Sequence, residues 1–328
     1  MKRFFYICGM AAWLMASGCS ETAQVPGTEG EYATFQIFTR ANESLSVNQK
    51  AWLYLATRAA ENENTLSCNT TYDVGTGFFT LENKVSQWYK MAFVCVPYCA
   101  TAKVELPEPT GGYNDIILDY TPVLNVTGQS ETEDLAIYRK VIDRWLIPGE
   151  SLKEDVMMTR ITGQLILDMG ILKDQFPKKV TNITVTLTGI PTAVYLRDNS
   201  NDEVIYPENS ARELVYSFDN PNWGDDGTHF RMCFNLLPCT LSGSKQETER
   251  QTAVSGCRVK VEYEGGTEEY PIGTTDQITP SVKIIKNLRT TVYFNGMENG
   301  EFEVRYAGFD GTSIGVDSDD WDGWNTNE

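Results

Sequence analysis

A covalent reaction is announced at one place in the sequence, the N-terminus. Lys2 and Arg3 precede the apolar run 4–16 (FFYICGMAAWLMA), which is followed by Ser17, Gly18 and Cys19. A positive start, a short apolar run and small residues at the cleavage site make a secretory signal. A cysteine directly behind it has the geometry of a bacterial lipoprotein, whose thiol receives a diacylglycerol before the chain is cut. Ala16 stands where such signals usually carry leucine. Cys19 is therefore expected to be the first mature residue and to carry lipid, with palmitate among its acyl chains. Two or three chains, at about 0.8 kcal/mol per buried methylene, hold a protein on a membrane where a single chain does not. The apolar run is shorter than the roughly 20 residues that span a bilayer, and no later stretch comes near that length.

The other residues with reactive side chains predict no catalysis. Six cysteines remain after Cys8 and Cys19, and in an exported chain they are first read as disulfides. Three fall in each half, so the expected bonds are Cys68 with Cys95 or Cys99, and Cys233 with Cys239 or Cys257. There is no C-x-x-C, and the single histidine, His229, completes none of the usual zinc sets. No metal and no cofactor is expected. The nucleophile-elbow, H-E-x-x-H and phosphate-loop signatures are absent, which leaves no enzyme reading to favour. His229 is expected to be an ordinary half-buried residue at the start of a strand. The acidic tail 317–323 (DSDDWDG) departs from a calcium loop at Trp321, its fifth position, and reads as a solvated end.

Charge narrows the partners. The precursor carries -18, and loss of Lys2 and Arg3 with the signal takes this to -20. Nucleic acid is repelled by such a chain, as is an anionic membrane surface. The seven tryptophans and sixteen tyrosines are expected mainly in the core. A glycan-binding surface would instead display two or three of them on one face.

The elements that must position these residues are strands. Period-two alternation bounded by Gly, Asn, Asp and Pro marks 32–39, 51–57, 77–81, 87–96, 101–105 and 115–120 in the first half. In the second half it marks 156–168, 180–188, 192–197, 213–218, 229–236, 256–263, 281–286, 290–295 and 301–307. Along 156–168, Ile161, Leu165 and Leu167 alternate with Arg160, Thr162, Gln164 and Asp168, predicting one apolar and one polar face. One segment differs: 130–149 has apolar residues at 135, 138, 141, 142, 145 and 146, a capping box at Ser130 and Glu133, and a stop at Pro148-Gly149. It predicts one amphipathic helix near a domain junction. The expected organisation is a signal peptide over 1–18, a lipidated linker over 19–30, a β-sandwich over 31–152 and a second over 153–328 with its acidic tail.

This layout, together with Cys19, the segment MMTRITGQLILDMG (157–170) and the closing IIKNLRTTVYFNGM (284–297) and FEVRYAGF (302–309), resembles the fimbrillin superfamily of Bacteroidetes. Within it the FimB-type fimbrial anchor subunits are most similar. Cys19 matches the lipid-bearing cysteine, Met158 to Ile161 the L-T-R-type start of the second domain, Asn287 the asparagine before a late strand, and Trp321 or Trp324 the terminal tryptophan. The six mature cysteines depart from the pattern. The resemblance implies an all-β fold of two transthyretin-like sandwiches in a surface-exposed, lipid-anchored part of a fimbrium on the outer membrane. It implies other fimbrial subunits as partners through β-strand addition, with host or bacterial surface ligands beyond them. In shaft subunits, cleavage after an arginine removes the first strand and opens a groove; here Arg40 and Arg58 are the candidate sites. An anchor keeps that strand and donates another, and the candidate donor is the closing region with Thr290, Val292, Phe294, Phe302, Val304 and Tyr306. The alternatives are a shaft or tip subunit matured at Arg40 or Arg58, and a surface glycan-binding lipoprotein.

Overall fold

The computed structural model describes residues 32–40, 43–44, 49–58, 68–73, 77–82, 86–97, 104–105, 117–120, 122–126, 136–149, 152–197, 204–221, 229–247, 252–272, 282–294, 302–308 and 313–314. The chain opens with β1 (Tyr32–Arg40), β2 (Glu43–Ser44), β3 (Gln49–Arg58), β4 (Cys68–Asp73), β5 (Phe78–Glu82) and β6 (Gln87–Pro97). Then come β7 (Val104–Glu105), β8 (Ile117–Tyr120), β9 (Val123–Val126), β10 (Tyr138–Leu146), β11 (Leu152–Met157) and β12 (Thr159–Arg160). β13 (Gly163–Asp168) leads to the single turn of helix α1 (Leu172–Gln175), β14 (Val180–Pro191), β15 (Ala193–Tyr195), β16 (Ala211–Asp219) and β17 (Arg231–Leu236). Shorter strands follow: β18 (Cys239–Leu241), β19 (Gly243–Glu247), β20 (Thr252–Gly256), β21 (Arg258–Tyr263) and β22 (Gly266–Pro271). The chain closes with β23 (Val282–Ile284), β24 (Leu288–Phe294), β25 (Phe302–Gly308) and β26 (Ser313–Ile314). The fold is all-β.

Two pairs of facing sheets enclose two cores. In the first, β1 pairs with β11, β2 and β5 in one sheet, and the other runs β12-β10-β6-β3-β4. Alternation along β1 points Ala33, Phe35 and Ile37 inward onto Leu53, Met91 and Phe93, where all six are buried. In the second pair, the sheet β26-β25-β24-β13-β17-β9 faces β16-β14-β21-β22. Leu165, Leu167, Val185, Phe234, Val259 and Val292 meet between them. The sheet β15-β8-β7 covers the outer face of the first pair, packing Leu118, Tyr120 and Val194 on Ala92, Val94 and Val141.

The expected helix over 130–149 is not formed: Tyr138–Leu146 is strand β10, and residues 130–135 lie outside the described residues. Tyr138, Ile142 and Leu146 are four apart, a spacing that serves a helical stripe and one face of a strand equally well. They enter the first core, whereas Ile137 and Val141 face the covering layer. A strand buried on both faces loses the alternation that would identify it. Pro148-Gly149 still ends the element, with Gly149 at φ 81, a turn conformation in which glycine has no Cβ to clash.

The sheets interleave along the sequence. β11, which apart from Leu152 falls in the expected second domain, pairs in parallel with β1 from Ala33↔Leu152 to Phe38↔Met157. β9, from the first half, pairs with β17. The chain passes from the first sandwich to the second at 161–163, where Ile161 packs in the covering layer and Leu165 in the second core. The polar face expected for 156–168 is not solvated either, since Arg160, Thr162 and Asp168 are all buried.

Candidate functional site: the first strand, the closing strands and the open edges

β1 is held on both edges. It pairs with β11 on one side and with β5 on the other, the latter from Tyr32↔Glu82 to Gln36↔Phe78. β2 continues the second side through Phe38↔Ser44 and Arg40↔Glu43. The Phe35 ring lies 5.8 Å from that of Phe93 and 6.5 Å from that of Phe79. Cys19 lies outside the described residues. Arg40 is the last residue of β1, and Arg58 the last of β3. Arg58 is 8% exposed, donates through Nη2 to Asp143 Oδ2 at 3.3 Å and lies over the Trp88 ring at 5.5 Å. An endoprotease needs an accessible extended segment, so Arg58 is shielded while the sheet is intact.

The closing strands differ in how firmly they are seated. β24 is paired in parallel with β13 and antiparallel with β25. Thr290, Val292 and Phe294 point from it into the second core, and Thr290 Oγ1 donates to the Lys283 carbonyl at 2.8 Å. β25 carries Phe302, Val304 and Tyr306, and among the described residues its outer edge is covered only at Tyr306↔Ile314 and Ala307↔Ser313. The Tyr306 hydroxyl accepts from the Lys283 N–H at 3.3 Å. Asn287 turns the chain into β24 at φ 60, a left-handed conformation that asparagine tolerates better than most residues. Trp321 and Trp324 lie outside the described residues, as does the whole acidic tail 317–323.

Among the described residues the longest edge strand is β16, paired only to β14. Its alternation sends Leu214, Tyr216 and Phe218 against the second core and leaves Val215 58% exposed. An edge of this kind presents unpaired backbone donors and acceptors on which an extended strand can be added.

The sequence does not single out the joint between the sandwiches. Arg160 donates from Nη2 to Asn235 Oδ1 at 2.8 Å and from Nε to the Thr162 carbonyl at 3.2 Å. The Tyr120 hydroxyl donates to the Asn235 carbonyl at 2.5 Å, and Arg139 Nη1 to the Tyr195 carbonyl at 2.8 Å. Three of these four hydrogen bonds have a charged arginine donor, a class worth about 1.5–3 kcal/mol each when buried. The only sign of the joint in the sequence is the run of polar residues at alternate positions of 160–168, which is easily taken for a wet face.

The cysteines require a correction. Cys239 and Cys257 are free thiols, so the expected bond from Cys233 to either is not made. Strand alternation gives the reason: Met232 and Phe234 of β17 enter the core and Cys233 between them faces away, whereas Cys257 is inside it. The Thr188 N–H donates to Cys257 Sγ at 3.3 Å. Burial, and after it the neighbouring Cys257, push the Cys239 thiol up from 9.0 to about 12. Cys95 is buried in the first core; the Cys68 side chain and Cys99 lie outside the described residues.

His229 precedes β17, its side chain 49% exposed, and its Nδ1 lies 3.0 Å from Asp168 Oδ1. Asp168, buried, also accepts from Arg231 Nε at 2.8 Å and from the Gly170 N–H at 2.9 Å. The carboxylate is thereby occupied in tying β13 to β17. Among the described residues no group of three or more His, Cys, Asp and Glu is placed to hold a metal ion. Nor is any helix there long and apolar enough to cross a membrane.

Fold and site define a class: an all-β chain of stacked sandwiches with a deeply seated first strand and accessible sheet edges. Solved structures similar in fold include the fimbrial anchor protein Mfa2 from Porphyromonas gingivalis, at TM-score 0.46 and 9% identity over 87% of this chain and 99% of that one. A candidate cell adhesion protein from Bacteroides eggerthii matches at TM-score 0.46 and 13% identity over 87% and 97%. A fimbrial assembly protein from Parabacteroides distasonis matches at TM-score 0.40 and 10% identity over 86% and 97%. No family model matches the sequence, and no curated protein does.

Proposed function

We propose that the chain is a non-catalytic, lipid-anchored subunit of a fimbria, the basal anchor that ties it to the outer membrane and joins the next subunit by strand addition. The observation that supports this is the seat of β1. Cys19 lies thirteen positions before Tyr32, so a lipid there is tethered by a short linker to a strand bonded on both edges and buried at Ala33, Phe35 and Ile37. Tension on the tether runs along β1 and loads many ladder hydrogen bonds in shear together. With β1 in place its own groove is filled, so the subunit donates. β25, with Phe302, Val304 and Tyr306, leaves at the lowest cost, because among the described residues its outer edge is covered at only two positions. Release of Thr290, Val292 and Phe294 requires stripping β24 from both neighbours.

Cleavage after Arg40 would free β1 and its lipid and turn the chain into a shaft or tip subunit. Three measurements test the reading. Cys19→Ala should move the protein from the membrane to the soluble fraction, the intact mass of cell-derived protein should include acylated Cys19, and deletion of 302–328 should detach fimbriae from cells while circular dichroism stays β-rich. A Cys19→Ala chain that still fractionates with membranes, or native protein beginning after Arg40, overturns the anchor role.

A further inference from the structure

A row of side chains on the outer face of the sheet β12-β10-β6-β3-β4 takes no part in the anchoring reading. Trp88 and Trp145 are direct cross-strand partners, and Arg58 sits opposite Trp88 on the other side. One step along, Lys90 lies opposite Asp143. Period two puts all five on the face that also bears Ala92, Val94 and Val141. The covering sheet buries those three but leaves Trp145 39% exposed and Ile147, just beyond, 49% exposed. The two indoles meet edge to face at 6.1 Å, and the Arg58 guanidinium lies over Trp88 at 5.5 Å while bonded to Asp143. Trp145 is thus braced from one side, and Asp143, its side chain 20% exposed, stands two residues away in the same row.

We propose that this row is a glycan-contact site, with a neutral pyranose ring stacked on Trp145 and its hydroxyls bonded to Asp143. Two observations select that ligand. The exposed apolar surface is small: 39% of an indole side chain is roughly 100 Å², against about 800 Å² per partner in a stable protein interface. An aromatic face beside a carboxylate already partly charge-balanced by arginine suits a sugar, which offers apolar C–H groups on one face and hydroxyls at its rim. The choice of a neutral glycan follows from the chain's -18, which repels polyanions. This reading is independent of the anchor role.

Affinity electrophoresis of the folded protein tests it, in native gels containing amylopectin, galactomannan, xylan or polygalacturonate. The protein should be retarded by at least one of the three neutral polysaccharides and not by polygalacturonate. Trp145→Ala should weaken binding about tenfold or more, while the protein stays folded at the assay temperature with a melting temperature lowered by no more than the loss of one aromatic pair. Trp145→Tyr should retain most of the retardation, and Phe78→Ala, an exposed aromatic on the opposing sheet, should change nothing. No retardation by any neutral glycan, equal retardation by polygalacturonate, or full retardation of Trp145→Ala overturns the site.

Discussion

Truncating Phe35 to alanine is the sharpest test of the role given to the first strand. Phe35 is 0% exposed and lies against Phe93 and Phe79, so the change removes a large ring from a packed site whose neighbours belong to fixed strands. Such truncations cost about 3–5 kcal/mol, a large part of the roughly 5–15 kcal/mol that holds a domain together. The ladder hydrogen bonds of β1 are untouched, so the loss is one of packing. A loss of about 3 kcal/mol raises the population with β1 detached on the order of a hundredfold, and proteolysis of a transiently opened segment follows that population. Two assays read it: urea unfolding followed by tryptophan fluorescence, and the rate at which an arginine-specific protease cuts after Arg40. Gln36→Ala, on the exposed face of the same strand, should stay within about 0.5 kcal/mol of the parent. If Phe35→Ala unfolds at the parent's urea midpoint and is cut after Arg40 no faster, β1 is not a keystone of the first sandwich and the load path drawn from Cys19 fails.

Asn235→Ala should destabilise by about 2 kcal/mol in chemical denaturation, because Arg160 loses a buried acceptor; no change would remove the joint from the account. Gly163→Ala should lower the melting temperature sharply, since a Cβ there would run into the Ile285 carbonyl oxygen; a normal melt would show that the passage between sandwiches has slack. Cys239 should alkylate at pH 8 roughly a thousandfold more slowly than a peptide thiol, following its rise from 9.0 to about 12; fast labelling in the folded protein refutes its burial. Stability should fall as pH rises from about 9 to 12, measured by urea midpoints. Folded Cys239, and Tyr216 pushed by burial from 10.0 to about 12, hold their protons more tightly than the unfolded chain does, so rising alkali favours unfolding.

Strands with one wet face were legible because their alternation is local. β1 and β16 follow it, as does β24. β10 was hidden: packing on both faces left a spacing of four that suits two periods. β4, β9, β18 and β22 were hidden for another reason, being short or polar strands recruited by neighbours already in place. Arg160 and Asp168 looked like a solvated face because polarity along a strand does not reveal whether water or an asparagine from another sheet lies opposite.

By itself the sequence determined that the chain is β-rich and acidic, and it raised the expectation of an acylation signal at Cys19. Those are properties of composition and short-range order. Only the tertiary structure decided which strand is enclosed, which edge stays open, that Cys233 faces away from Cys257, and that Trp88 meets Trp145 on a partly uncovered face. Each of these depends on pairing between strands distant in sequence, and register between such strands is set by the packing of whole sheets.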